Sequence, residues 1–186
     1  TIDLLQDTRL TATKKLYFDG GTHTYITETG ADYLDVVVGG ALLLRLQEAS
    51  TDTVITPDNV RLGVGDSTDL AIFHDGTDTK IENNTGDLIF YNYVDDKDII
   101  FRTDDGSGGT TAYLTLDGSA TAIKVAKNLE LADSVKARFG AGDDLEIYHD
   151  GSNTYIENET GDFQIFNKAN DKDVILSTDD GSGGTT

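Results

Sequence analysis

The chain has 186 residues, a formal net charge of −20 at pH 7, 20 glycines, a single proline and neither cysteine nor methionine. So acidic a chain excludes nucleic-acid binding, which needs Lys and Arg to displace counterions from phosphates, and it does not suit an anionic membrane surface. Without cysteine there can be no disulfide, thiolate metal site or cysteine nucleophile.

Residues 1–50 read as a divergent N-terminal β unit. Within it Leu16–Ile26 (LYFDGGTHTYI) carries an Asp-Gly turn, and Val36–Val38, Gly39-Gly40 and the apolar run after them spell a hairpin. Ala41–Glu48 is the best helix candidate, but no stretch sustains an i, i+3, i+4 apolar pattern, so the chain reads as all-β. Thr51–Asn59 holds Pro57 and links into a first full β repeat at 51–127. There Leu70, Ile72 and His74 alternate with polar or outward residues, Asp75-Gly76 turns the chain, Ile81 marks the returning strand, and Asn83–Gly86 forms the next turn. Leu88–Phe90 is expected as a third strand, Ile99–Phe101 as a fourth, and Ala112–Leu116 as a fifth after the DDGSGGTT loop at Asp104–Thr111.

Residues 128–186 form a second β repeat, truncated in mid-repeat. Leu145, Ile147, His149, then Asp150-Gly151, then Ile156 and Gly161 stand 75 positions after their counterparts. From Asp69 to Thr111, 27 of 43 positions are identical to Asp144–Thr186. Phe163–Phe166 and Val174–Leu176 are the expected third and fourth strands. The repeat-defining turns are therefore Asp75, Gly76 and Gly86 in one copy and Asp150, Gly151 and Gly161 in the other. A long-period repeat of β-meanders, each too small to outweigh chain entropy alone, predicts an elongated assembly stabilised by stacking or by winding with identical chains. No charged-then-apolar leader is present, nor any apolar run near the ~20 residues of a membrane span, so the segment reads as internal to a longer polypeptide.

His74 and His149 end their strands on the parity of the apolar residues, which suits a packed or turn-bonded histidine. Three chains wound with that face inward would bring the equivalent imidazoles together, where they could share a metal. Gly140-Ala141-Gly142-Asp143-Asp144 resembles the glycine–aspartate turns of calcium-binding nonapeptide repeats, but it occurs once per repeat and its apolar position is out of register. His74, His149, Asp143 and Asp144 are thus the weak metal candidates, and a structural divalent cation is the only cofactor left open. Most carboxylates sit in turns such as Asp95-Asp96 and Asp104-Asp105, where solvation is the plainer role. The GSGG loops lack the lysine of a phosphate loop. No carboxylate pair stands out as a glycosidase would need, and no catalytic residue is expected. Tyr148 and Tyr155, read as cross-strand neighbours on the outward face, would stack on a sugar or on each other.

The LYFDGGTHTYI…ADYLDVVVGG segment, the DLEIYHDGSNTYIENETGD unit and the DDGSGGTTAYLTLDGSAT connector resemble the repeats of tail-fibre and other virion structural proteins of tailed bacteriophages, especially those of marine cyanobacteria. The resemblance implies a homotrimeric β-rich fibre shaft, in a virion or extracellular setting, that associates with other tail or appendage proteins. Contact with a host glycan or protein would then lie outside this segment. Two alternatives predict different things. A bacterial adhesin or filament would join head to tail in a heterologous contact, and a depolymerising tailspike would carry a carbohydrate groove with paired carboxylates.

Overall fold

The structure, a computed structural model, describes residues 10–179 and 181. Among the described residues there are fourteen strands and no helix, and every strand pairs antiparallel with a sequence neighbour. The all-β expectation is met. The chain divides into two compact units, one through Tyr91 and one from Asn92 onward.

The first unit opens with a five-stranded meander: β1 (Lys15–Tyr17), β2 (Tyr25–Gly30), β3 (Tyr33–Val38), β4 (Ala41–Gln47) and β5 (Thr53–Ile55). Gly39 and Gly40 both take positive φ, 61° and 82°, which a two-residue hairpin needs for its twist to match the strands; this turns β3 into β4 and ends the helix option for Ala41–Glu48. Because β5 pairs with β4, the first sheet runs past the expected boundary at residue 50. A three-stranded sheet follows: β6 (Leu62–Val64), β7 (Leu70–His74) and β8 (Thr79–Asn83).

The second unit holds β9 (Ile99–Asp104), β10 (Thr110–Asp117) and β11 (Ala122–Val125), then β12 (Ala137–Phe139), β13 (Leu145–His149) and β14 (Thr154–Asn158). The last three repeat β6–β8 residue for residue at a displacement of 75, and their registers agree: Ile72 faces Ile81 as Ile147 faces Ile156. Lys127, the other expected boundary, falls between β11 and β12.

Three expected strands are absent among the described residues. Leu88–Phe90 and Phe163–Phe166 pair with no strand, and Val174–Leu176 pairs with none although its counterpart Ile99–Phe101 lies in β9. β9 is held by β10, and the residues that would repeat Ala112–Leu116 are not in the 186-residue sequence. Most of the second DDGSGGTT loop lies outside the described residues.

The core is small, and it lies on the face that alternation alone would assign to solvent. Phe73 is 7 % exposed and Ala71 fully buried, whereas Ile72 between them is 41 % exposed. Arg61 explains this: its guanidinium sits 3.9 Å over the Phe73 ring and pairs with Glu82, so that long charged side chains roof the aromatic. The second copy uses other residues for the same end. Lys136 lies 4.4 Å over Tyr148 and pairs with Glu146, Arg138 reaches Glu146 at 3.2 Å, and Glu146 is only 8 % exposed. In the five-stranded sheet the covered face is built on Asp35, which takes Arg45 Nε at 2.7 Å, Arg45 Nη2 at 2.8 Å and the Thr29 hydroxyl at 2.6 Å.

Candidate functional site

On each of the four sheets one face carries rows of apolar side chains. On the first, Leu16, Ile26, Val36 and Leu44 form one row across the strands, and Leu34, Leu46 and Val54 form another. Leu62, Ile72 and Ile81 line up across β6–β8, and Ala137, Ile147 and Ile156 across β12–β14. On β9–β11, Leu114 faces Phe101 and Val125, while Leu116 faces Ile99 and Ile123. Many of these side chains are exposed, including Leu62, Ile81, Phe101, Ile123 and Ile156. The faces are regular, repeated and apolar, which is the chemistry of an interface.

A cleft of about 670 Å³ in the first sheet has Leu34, Leu46 and Val54 among its lining, with Glu28, Asp32 and Glu48 beside them. Its apolar part belongs to the face just described.

The Asp-Gly turns are built identically in both copies. Asp75 Oδ1 accepts the N–H groups of Thr77 and Asp78 at 3.0 and 2.8 Å, and Asp150 Oδ1 accepts those of Ser152 and Asn153 at 2.8 and 2.7 Å. Gly76 and Gly151 both stand at φ 96°, where a side chain would be strained. Asp19 caps the N-terminal turn in the same manner, accepting from the backbone of Thr22, His23 and Thr24. Hydrogen bonds from the Asp78 backbone, Lys80 and the Thr77 backbone hold the Asp75 carboxyl well below the usual range; those from Asn153 and Ser152 lower Asp150. Lys124 and the Ala120 backbone do the same for Asp117.

These shifts fix a pH dependence. On acidification the unfolded chain takes up protons first, near the ordinary aspartate value of about 3.9, so turn-derived stability is complete well above that value and drains as pH falls through and below it. Far-UV circular dichroism during an acid titration is expected to show loss of sheet signal below about pH 4. Added salt should move this transition little, since the turn bonds are short-ranged, whereas salt should relieve the repulsion of the −20 charge at neutral pH.

His74 and His149 are turn-bonded, as one of their two readings expected, and they are exposed rather than packed. Each Nδ1 lies within hydrogen-bond distance of the N–H of the turn glycine, Gly76 at 3.1 Å and Gly151 at 3.0 Å. Each Nδ1 also lies 3.0 Å from an aspartate, Asp58 or Asp133. Sequence reading missed these two aspartates, although their own separation of 75 residues was a usable signal. The other metal candidates are not brought to the histidines. Asp144 precedes β13 while His149 ends it; Asp143 pairs with Arg138 at 3.0 Å, and Asp144 accepts the Thr160 hydroxyl at 2.9 Å. Among the described residues no three His, Asp or Glu side chains gather as a metal site within one chain.

Tyr148 and Tyr155 are direct cross-strand partners and stack on each other, with ring centroids 4.9 Å apart and planes 17° from parallel. Lys136 covers Tyr148 and the Tyr148 hydroxyl donates to Glu157 at 3.1 Å, so the pair is part of the covered polar face. Comparison of the chain with protein-family models, curated proteins and solved structures found no match.

Proposed function

We propose that this chain is a structural shaft segment of a fibre or similar appendage of a virion, assembled as a homotrimer, which holds a host-attachment element at a distance and performs no catalysis itself. The observation that carries the reading is the row of exposed apolar side chains on every sheet, present at equivalent residues in both copies of the repeat. A chain that covers its polar, aromatic face with its own lysines and arginines yet leaves its isoleucines bare is best completed by copies of itself. The motifs shared with bacteriophage fibre repeats supply the setting, virion or extracellular, and the expected neighbours, other tail or appendage proteins. The carboxylates support the same reading, because those at the turns are spent on backbone N–H groups rather than poised as acid and base.

Light scattering on the full chain, with and without a chelator, tests this directly. A mass of three chains in both conditions is the expected result. A trimer that dissociates in chelator would retain the fibre and add a structural divalent cation. A monomer would overturn the reading, and an open-ended polymer would replace it with a head-to-tail filament or adhesin.

A further inference from the structure

Two segments stand out because they are strand-like in sequence yet pair with no strand among the described residues. Leu88–Phe90 and Phe163–Phe166 occupy equivalent places in the two copies, directly after the turns closed by Asn83 Nδ2 on Gly86 O (2.8 Å) and by Asn158 Nδ2 on Gly161 O (2.9 Å). Neither segment belongs to a strand, and Leu88, Ile89, Phe90, Ile165 and Phe166 are all exposed. The loops that follow are held alike as well. Asn92 Nδ2 donates to Asp98 O at 2.9 Å and Asn167 Nδ2 to Asp173 O at 2.7 Å, so these are defined stretches between two fixed turns.

Two features say what such a stretch needs. Leu88-Ile89-Phe90 is apolar at every position and Phe163–Phe166 at all but Gln164, which is the pattern of a strand covered on both faces. Extended backbone buried in that way must also find partners for its N–H and C=O groups. The complement is present in the same fold: β8 and β14 each pair on one side only, with β7 and β13, leaving an open edge where a simple meander would have put the next strand.

Resting on the homotrimer reading above, we propose that Leu88–Phe90 and Phe163–Phe166 are strands exchanged between copies, each adding to the open β8 or β14 edge of a neighbouring chain. The turn and edge chemistry that would make a hairpin within one chain makes it between chains instead, which is the logic of domain swapping. The bare face would then hold the copies together by packing, while these segments would tie them by backbone hydrogen bonds.

Hydrogen exchange on the full chain reads this out, compared between the assembled protein and the Ile72→Asp/Ile147→Asp double variant, designed to be monomeric. Amides of both segments are expected to exchange at least about 100-fold more slowly in the assembly and to lose that protection in the monomer. Ile89→Pro and Phe90→Pro give a second readout. Successive N–H groups point to opposite edges, so one of the two should lower the concentration stability of the trimer about tenfold or more, and the monomer should keep its sheet signal in both. A trimer whose two segments exchange like unstructured peptide would overturn strand exchange while leaving the fibre reading intact. Protection that persists in the monomer would also overturn it, by showing pairing within one chain. Absence of a trimer would remove the fibre reading and this inference with it.

Discussion

Replacing Ile72 and Ile147 together by aspartate is expected to release monomers of 20.0 kDa from the proposed homotrimer while the far-UV signature of the sheets is kept. Both side chains stand in the middle of a three-strand aliphatic row, and in the single chain they are 41 % and 39 % exposed. In the isolated chain both positions keep access to water. In the assembly the substitution costs burial of the part still exposed, about two-fifths of each isoleucine and so about 0.6–1.2 kcal/mol apiece. It also sets like charges from neighbouring copies against one another in an apolar interface. The sum is enough to weaken association about 100-fold, since that needs about 2.8 kcal/mol. Arg61→Ala, on the covered face, is the control: it should loosen the packing over Phe73 without changing the assembled mass. An assembly unaffected by the two aspartates would show that the aliphatic face is not the interface.

Asp35→Ala should destabilise the five-stranded sheet by about 2 kcal/mol in urea unfolding, because it deletes charge-assisted hydrogen bonds worth about 1.5–3 kcal/mol. Asp35 is 2 % exposed and receives both Arg45 nitrogens and the Thr29 hydroxyl. The Arg45 hydrogen bonds, with support from Thr29, hold its carboxyl below the usual range against the desolvation that opposes them. The loss stays below that of a fully enclosed ion pair because Arg45, stacked 4.7 Å from the Tyr33 ring, is partly exposed and can turn to water. Arg45→Ala should be the costlier of the two, since the charge then left without a partner is the enclosed one. In that variant the Asp35 carboxyl should titrate at higher pH, so the part of the acid-induced loss of stability that comes from this carboxyl should shrink relative to the parent chain. Equal losses for the two substitutions would mean that the pair is solvated and its geometry immaterial.

The hairpins were legible because they are written in local chemistry: an Asp-Gly pair between alternating apolar residues names both the turn and the register. The side of each sheet that a single chain covers was not legible. Alternation defines two faces at Leu70–His74, but the choice between them is made by Arg61, just before β6, whose guanidinium lies over Phe73 and pairs with Glu82 of β8. The missing strands have the same cause, since Leu88–Phe90 has strand composition but a strand also requires a partner edge within reach. Sequence also overlooked β5, β6, β11 and β12, short segments whose pairing is decided by the strands beside them, and the Asp35–Arg45 pair, which has no periodic signature.

The repeat of identical hairpins, each with its own turn, polar roof and bare face, bears on how such a chain can change length. Any exchange of genetic material that aligns His74 with His149 removes or inserts 75 residues and reconnects like with like, so every strand keeps its parity and every apolar row its partners. A slip of one residue within a strand would instead turn its isoleucines to the wrong side. Length in this protein is therefore free to vary in whole steps and is resisted in between.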